Sequence, residues 1–392
     1  MRIINEENAL VIKSWCNEPE EGAIEQARHL ARLPFAFRQI NLMPDTHQGY
    51  GMPIGGVLAT EGVVIPNAVG VDIGCGMCAV KTNINEIDRE TLKKIMGQVR
   101  KTVPVGFAHH NENQERYFDA NALLLKHNVI AVMPSSIVRL EWRSVLKQVG
   151  TLGGGNHFIE IQKGDDGHIW IMVHSGSRNL GKQVADHYNR LAVELNEKYH
   201  SAVPKAWQLA FLPLDTEDGE RYVAEMNFCI DFAFENRQLM MKRIQEAFPL
   251  NTVFDPMINI AHNYARMEHH FGKNVMVHRK GATSARQGEI GIIPGSQGSS
   301  SYIVRGKGNP ESFESCSHGA GRRMGRKAAI QTLSLEEEIR KMDEKGIVHG
   351  MRNAKDLDEA SGAYKDIDVV MAEQADLVEP VVRLEPLAVI KG

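Results

Sequence analysis

The chain has 392 residues, of which 43% are hydrophobic and 24% are charged, and its formal net charge at pH 7 is −4. This length can bury a sizeable core, and the composition is ordinary for a globular protein. The weak negative charge excludes an overall basic field for nucleic acid, although a local basic patch can still bind RNA. We find no apolar run of about 18 residues that predicts a membrane span, and no signal-peptide core. The five cysteines are an odd and sparse set, which predicts reduced thiols and a cytoplasmic location.

Apolar periodicity predicts helices and strands that alternate irregularly along the chain. Helical spacing covers residues 86–101, 182–199 and 218–247, and Pro249 follows the last of these as a stop signal. Short apolar runs rich in β-branched residues predict strands at Val69–Val80, Phe158–Gln162, Ile169–Val173, Val275–His278 and Tyr302–Val304. The irregular order predicts a mixed α/β or α+β core, with residues 101–150 as a helical excursion from it.

Side chains of the metal-ligand type lie beside glycines at the ends of the apolar runs. They are Asp72, Cys75, His157, His174 and His262. A buried carboxylate without a partner is costly unless a cation compensates its charge. One carboxylate, one thiolate and three imidazoles suffice for two metals that share the thiolate, as in a two-metal phosphoryl-transfer centre. The donor types leave the metal open, because thiolate and imidazole favour zinc whereas carboxylate and phosphate oxygens favour manganese or magnesium.

A second candidate site is the segment CSHGAGR at residues 316–322, which precedes a predicted helix. Small residues let a backbone approach a ligand closely, and helix-start N–H groups attract anions. His318 can therefore act as a nucleophile on phosphorus, with Arg322 able to bind phosphate oxygens in a fork. The alternative is a glycine-rich turn with a capping histidine.

The C-terminal half also carries a candidate phosphate-binding loop, IPGSQGSSS at residues 293–301. Its backbone N–H groups and hydroxyls predict an anion nest, and the alternative is a flexible surface loop. The cations near it in sequence suit a polyanion, although a solvated charged edge is the default interpretation. They are His278, Arg279, Lys280, Arg305 and Lys307.

Together with further motifs along the chain, these residues resemble the RtcB family, the GTP-dependent RNA-splicing and RNA-repair ligases. The resemblance covers nearly the whole chain. It rests on MPDTH at 43–47, VDIGCG at 71–76, GNHF at 155–158, HSGSR at 174–178, HNY at 262–264, HRKGA at 278–282, PGS at 294–296, SHGAGR at 317–322, AYKD at 363–366 and the terminal Lys391-Gly392.

The resemblance implies a single α+β domain over residues 1–392, of the mixed-sheet type, with a central cleft for metal and nucleotide. It implies an enzyme, a 3′-phosphate/5′-hydroxy nucleic acid ligase that acts in tRNA splicing or RNA repair. RNA ends with a 3′-phosphate or 2′,3′-cyclic phosphate would be joined to 5′-hydroxyl ends through a covalent guanylate on His318, with GTP and two Mn²⁺ ions as cofactors. An archease-type activator is a further implied partner, and no membrane is involved.

The family motifs also carry roles over to matching positions of this chain. One manganese ion would be held by Asp72, Cys75 and His157, and the other by Cys75, His174 and His262. Guanylate contacts are implied for Asn156, His157, Phe158, Ile159, Glu160, His262, Asn263, Pro294, Gly295, Ser296, Gln297, Ser301, His318, Gly319, Ala320, Gly321, Tyr364 and Lys391, with Lys391 or Glu160 near the base edge. The candidate RNA contacts are Arg178, Arg279, Lys280 and Arg322.

Two alternatives to a ligase stay open at this point. One is a two-metal phosphoesterase that hydrolyses RNA phosphate ends without joining them. The other is a metal-stabilised RNA-binding protein without catalysis.

The predicted site also constrains the backbone of residues 156–160. If this segment were fully extended, Asn156 and Glu160 would lie on one face and His157 on the other. A local bend is therefore needed before these residues can serve one site.

Overall fold

The computed structural model describes residues 1–127 and 136–392. Within these residues the strands are β1 Arg2–Ile4, β2 Val11–Ser14, β3 Ala36–Tyr50, β4 Met52–Thr60, β5 Val63–Val64, β6 Gly76–Lys81, β7 Phe158–Gly164, β8 Ile169–Ser175, β9 Leu212–Pro213, β10 Ile258–Ala261, β11 Asn263–His270, β12 Lys273–Lys280, β13 Ala282–Ser284, β14 Ile290–Ile293, β15 Ser301–Gly306, β16 Ser315–Ser317 and β17 Val378–Lys391. The helices are α1 Glu21–Ala31, α2 Pro66–Val69, α3 Arg89–Thr102, α4 Ala120–Lys126, α5 Ile137–Gln148, α6 Arg178–Lys198, α7 Glu217–Gln245, α8 Arg326–Thr332, α9 Leu335–Glu344 and α10 Ile367–Glu373.

The strands form two large sheets, and the α+β class predicted from the sequence is confirmed. A six-stranded sheet has the order β1-β2-β3-β4-β12-β11, and a seven-stranded sheet has the order β10-β6-β8-β7-β17-β15-β14. The first sheet is mixed: β2 runs parallel to β3, and every other pair of neighbouring strands in this sheet is antiparallel. His262 is the single residue between β10 of one sheet and β11 of the other. The candidate metal ligand His262 therefore lies where the chain passes from one sheet to the other.

Strand β8 lies near the middle of the larger sheet and is buried along its whole length. Its alternate residues Ile169, Ile171 and Val173 pack with α3 and α7 in one hydrophobic cluster. Trp170 and Met172 face the other way, into a separate cluster. Because side chains alternate along a strand, His174 shares the face of Trp170 and Met172 and points away from α7.

The three predicted helices are present as α3, α6 and α7, with ends that differ from the sequence pattern. Helix α3 begins at Arg89 because the Asp88 side chain accepts hydrogen bonds from the backbone N–H groups of Glu90 and Thr91. Helix α7 ends at Gln245, before Pro249. The segment 101–150 contains α4 and α5, of which α5 contacts both α6 and α7. None of the described helices has both the length and the apolar character needed to cross a membrane.

Two local predictions are wrong. The predicted strand Val69–Val80 begins only at Gly76, because Pro66 starts the short helix α2 and Gly74 adopts a left-handed φ of 73°. The predicted helix after residues 316–322 begins only at Arg326. His318 therefore lies on a loop after β16 and not at a helix N-terminus.

Candidate metal and nucleotide site

Five predicted ligand residues lie together at the ends of β6, β7, β8 and β10. The Cys75 Sγ atom lies 3.4 Å from His157 Nε2 and 3.3 Å from His174 Nε2. His174 Nε2 is 3.3 Å from His262 Nε2, and His157 Nε2 is 3.2 Å from Asp72 Oδ2. Asp72, Cys75 and His157 form one possible metal-binding group, and Cys75, His174 and His262 form a second. Cys75 is shared between them.

Backbone contacts fix the direction in which two of the imidazoles point. His157 Nδ1 donates to Leu152 O over 3.0 Å, and His174 Nδ1 donates to Asn156 O over 3.0 Å. In both rings Nε2 is left with its lone pair toward Cys75, which is the tautomer that binds a metal. The required bend is present, because Asn156 lies in a turn and His157 lies between that turn and β7, which begins only at Phe158.

Burial is the main influence on the pKa values of His174, His262 and Cys75. Burial holds the pKa values of His174 and His262 well below the usual range, so these imidazoles are neutral at physiological pH. Burial and then the charge of Asp72 raise the pKa of the Cys75 thiol. For Asp72, burial raises the pKa, but the neighbouring His157, Cys75 and Arg178 together outweigh burial and the pKa falls to about 2. The Asp72 side chain is 33% exposed, so it is not buried among glycines as the sequence suggested.

His318 lies beside the second group and is held by Asp45 of β3. The backbone N–H groups of His318 and Gly319 donate to Asp45 Oδ2 over 3.1 and 3.2 Å. The ring atom His318 Nδ1 lies 2.6 Å from the same carboxylate oxygen, as a close contact and not an aligned hydrogen bond. The His318 and His262 ring centroids are 4.8 Å apart. This arrangement leaves Nε2 of His318 free for nucleophilic attack.

His318 opens into a cavity of about 330 Å³ between the two sheets. Twelve of the predicted guanylate contacts line it: Asn156, Phe158, Pro294, Gly295, Ser296, Gln297, His318, Gly319, Ala320, Gly321, Tyr364 and Lys391. The metal-group residue His174 also reaches this cavity. The candidate nucleotide pocket and the candidate metal centre are therefore adjoining parts of one site.

The other predicted guanylate contacts do not line this cavity. Ile159 packs in the hydrophobic core on the opposite face of β7. Asn263 donates to Asp72 O and accepts from Gly281 N, so it braces the metal-group turn. Ser301 accepts from Gly295 N and from Gln162. Ser296 N donates to the Ser299 hydroxyl, and Ser299 N donates to Ser296 O. With Gly295 N, three N–H groups of the predicted anion nest are therefore already used within the loop.

Glu160 and Lys391 occupy the neighbouring strands β7 and β17. Glu160 is buried and accepts from Gln162 Nε2 over 2.7 Å. Burial raises the pKa of Glu160 to about 8, although the charge of Lys391 opposes this shift. The same desolvation lowers the pKa of Lys391.

Glu359 and His47 line the cavity, although neither was predicted as a site residue. Glu359, which is buried, accepts from Arg322 Nη1 over 3.0 Å and from Arg326 Nε over 2.8 Å, and the Tyr364 hydroxyl also donates to it. His47 donates from Nδ1 to Asp45 O over 3.1 Å, which leaves its Nε2 unprotonated. Burial lowers the pKa of His47. The motif at 43–47 marked this region, but a single sequence assigns no role to Asp45 or His47.

The four candidate RNA contacts divide into two groups. Arg279 is fully buried and paired with Glu268 at 2.6 Å, so its guanidinium is not accessible to RNA. Lys280 is buried and donates to the carbonyls of Tyr50 and Asn67. Arg322 lies in the nucleotide cavity. Arg178 lines a second cavity of about 400 Å³, which reaches Asp72 and His157.

A two-sheet α+β fold with paired Cys/His/Asp groups beside a histidine-containing cavity defines a candidate phosphoryl-transfer centre. Comparison with known proteins gives the family. The sequence model of the family described as tRNA-splicing ligase RtcB matches residues 26–392, and the chain belongs to this family.

Curated relatives match over more than nine tenths of their length. The chain is 39% identical to the RNA-splicing ligase RtcB of Escherichia coli K12, an alignment that covers 100% of this chain and 99% of the relative. It is 32% identical to the tRNA-splicing ligase RtcB of Thermococcus kodakarensis, with 95% and 92% covered. It is 33% identical to the RNA-splicing ligase RtcB of Mycobacterium bovis, with 94% and 100% covered.

Proposed function

We propose that this chain is an RNA ligase that joins 3′-phosphate or 2′,3′-cyclic phosphate ends to 5′-hydroxyl ends, with GTP as the energy source. The observation that carries the proposal is the placement of His318. Its ring is fixed against the Asp45 carboxylate, opens into the nucleotide-sized cavity and lies 4.8 Å, between centroids, from a metal-group histidine. A two-metal phosphoesterase, in which metal-activated water attacks phosphorus, has no need for such a positioned histidine nucleophile.

In the proposed first step, Nε2 of His318 attacks the α-phosphorus of GTP. A P–N bond forms, the bond from the α-phosphorus to the leaving oxygen breaks, and pyrophosphate departs with the electron pair. Asp45 holds the ring through Nδ1 and stabilises the positive charge that develops on the imidazole. An oxygen of the RNA 3′-phosphate then attacks the same phosphorus, and the P–N bond breaks to restore the imidazole. Finally the 5′-hydroxyl oxygen attacks the RNA 3′-phosphorus, its proton passes to solvent, and GMP leaves. A 2′,3′-cyclic phosphate end first adds water at phosphorus, with cleavage of the bond to O2′, and enters the same sequence as a 3′-phosphate.

The two ligand groups fit two manganese ions in this proposal. Asp72, Cys75 and His157 would hold one ion, and Cys75, His174 and His262 would hold the other. Bound manganese would supply positive charge against the negative charge of the transferring phosphoryl group. The imidazoles of His157 and His174, each held through Nδ1 with Nε2 near the Cys75 thiol, support this assignment.

The remaining cavity residues would bind and orient the nucleotide. Arg322 and Arg326, both bonded to Glu359, present cations to phosphate oxygens. Lys391, which lines the cavity, would donate to the guanine edge, or Glu160 behind it would accept from that edge. The serine-rich loop 294–301 would close the cavity from the other side.

We place the RNA approach at the second cavity. Arg178 and Lys182 line it together with His109, and the ring of Phe107 beside them is fully exposed. Cations beside an exposed aromatic ring suit a single-stranded RNA end, with the phosphates on the cations and a base on the ring. The pathway, whether tRNA splicing or RNA repair, and an archease-type activator belong to the same proposal.

A strand-joining assay tests the function. One RNA ends in a 3′-phosphate, the other begins with a 5′-hydroxyl, and GTP and manganese are supplied. We expect a joined strand from the native chain and none from His318→Ala. Loss of the terminal phosphate without joining would instead support the two-metal phosphoesterase.

A further inference from the structure

Two adjacent polar residues of α7, Asn236 and Arg237, lie fully buried behind the metal groups. Neither belongs to a motif that the sequence singled out, and neither touches the nucleotide cavity. Fully buried asparagine and arginine side chains are costly unless their polar groups are satisfied. Their contacts therefore indicate what they hold in place.

Arg237 joins the two chain segments that carry the metal-group residues Cys75 and His174. Its Nη1 atom donates to Gly74 O over 3.0 Å and to Ser175 O over 2.8 Å. Gly74 directly precedes Cys75, and Ser175 directly follows His174. The Nε atom donates to Asn259 Oδ1 over 2.6 Å, which adds β10, the strand that leads to His262. One guanidinium thus spans three ligand-bearing segments.

Asn236 makes a second set of bridges from the preceding position of the helix. Its Oδ1 atom accepts from Gly150 N over 2.8 Å and from Thr151 N over 3.1 Å. Its Nδ2 atom donates to Ser175 Oγ over 3.1 Å and to Gly176 O over 3.0 Å. The segment after Thr151 includes Leu152, whose carbonyl fixes the ring of His157. The pair therefore reaches every segment that carries a buried metal-group residue.

Arg237 makes no ion pair with a carboxylate anywhere in the described parts of the chain, 1–127 and 136–392. Its hydrogen bonds are to carbonyl oxygens and an amide oxygen, so it does not form a structural salt bridge. A planar guanidinium can bond two carbonyls in fixed directions, whereas a lysine ammonium is a point charge on a flexible stem.

We propose that Asn236 and Arg237 are positioning residues of the metal centre, which set the separation of Cys75 Sγ from the His157 and His174 imidazoles. This inference rests on the proposed function only in requiring that the two groups bind a divalent metal. It needs neither GTP nor RNA. Without the bridges, the Cys75 turn and the end of β8 would no longer be held at one separation, and the shared thiolate would coordinate poorly.

Cobalt(II) binding to the full chain tests the inference without reference to ligase activity. A thiolate bound to cobalt(II) gives a charge-transfer absorption, and titration gives the affinity. The variants are Arg237→Lys, which keeps the charge and loses the planar guanidinium with its separate Nε and Nη1 donors, and Asn236→Asp, which keeps the acceptor and loses both donations. Arg279→Lys is the matched control, because Arg279 is also fully buried but contacts Glu268 and Ser315 instead.

We expect Arg237→Lys and Asn236→Asp to fold, to bind cobalt(II) at least about tenfold more weakly, and to lose much of the thiolate absorption. Arg279→Lys should retain both properties. Native affinity and absorption in the two folded variants would overturn the inference, as would native protein without any thiolate absorption. If Arg237→Lys does not fold, Asn236→Asp decides by the same readout. Native protein that shows the absorption but joins no RNA would remove the proposed function and leave the inference standing.

Discussion

Asp45 determines how His318 is presented, although 273 residues separate them in the sequence. Its carboxylate accepts from two consecutive backbone N–H groups of the His318 loop and contacts the imidazole through Nδ1. The imidazole is thereby directed with Nε2 toward the cavity. Orientation of an imidazole by a buried carboxylate is a recurrent device in nucleophilic catalysis.

Replacing Asp45 tests this role. Asp45→Asn has one oxygen instead of two and no charge, so we expect formation of the guanylate adduct to slow by roughly 10²-fold or more. Single-turnover labelling with GTP measures the rate, and cobalt(II) absorption checks that the metal groups are intact. Asp166→Asn, which alters a carboxylate paired with Lys81 away from the cavity, is the control. A native rate in Asp45→Asn would show that the carboxylate is dispensable.

Glu160 gives the stability a pH dependence with a definite sign. Burial raises its pKa from 4.5 to about 8, so between these values the folded chain keeps a proton that the unfolded chain has released. The free energy of unfolding then falls as pH rises, by up to about 1.4 kcal/mol per pH unit from this group. Glu160→Gln cannot titrate, so its stability relative to the native chain should increase between about pH 5 and about pH 7.5. Urea unfolding at both values measures this, and parallel pH dependences of the two proteins would contradict it.

At the residue scale, the sequence predicted the side chains of the two possible metal-binding groups but not the residues that hold the site in place. Asp72, Cys75 and the three histidines were recognisable because chemically distinctive side chains stand beside glycines. Asp45, Glu359 and Arg237 are ordinary charged residues whose roles come from contacts with distant segments. Arg279 was misjudged for the same reason, since its buried partner Glu268 lies on the neighbouring strand β11.

Among the elements, β6, β8 and β7 are neighbours in the sheet and bring the metal-group residues together. His174 lies opposite Met77 of β6 and Phe158 of β7. The adjoining turns therefore place Cys75 and His157 on either side of His174. The apolar pattern predicted β7 and β8 well, but it extended β6 too far toward the N-terminus, because Ile73 and Cys75 are buried in a turn and mimic a strand in composition.

Gly76 permits the close approach of β6 and β10 next to Cys75. A Cβ atom at this position would lie 2.0 Å from Ile260 O, which is backbone and cannot move aside cheaply. We expect Gly76→Ala to lower the free energy of unfolding by roughly 1–3 kcal/mol and to weaken cobalt(II) binding. Gly97→Ala is the control, since open space surrounds that position in α3 and alanine should stabilise the helix by up to about 1 kcal/mol. Urea unfolding compares the two, and equal effects would contradict the packing argument.

Over the whole molecule, the candidate site lies where the two large sheets meet. Asp45 and His47 come from β3 of the six-stranded sheet, whereas β6, β7 and β8 of the seven-stranded sheet carry or adjoin most of the metal-group residues. His262 stands at the passage between the sheets. The α+β class was predictable from the alternation of helices and strands, but the division into two sheets was not, because strand pairing depends on long-range contacts.

Removal of the metal distinguishes a catalytic role of the metal from a structural role. The hydrophobic clusters that join the sheets and helices do not include the side chains of the metal groups. His157 and His174 also make hydrogen bonds within the protein. We expect a chelator to abolish guanylate transfer while cooperative unfolding and the far-ultraviolet circular dichroism persist. Loss of the folded state on chelation would instead show that the metals are structural.

The central claim is that His318 becomes covalently guanylylated, and one labelling measurement tests it most directly. The native chain and His318→Ala are incubated with manganese and GTP labelled at the α-phosphate, and protein-bound label is counted after denaturation. The account predicts label on the native chain and none on His318→Ala, with the fold and metal content of the variant unchanged. Equal label on both proteins, or none on a folded and manganese-loaded native chain, would contradict it.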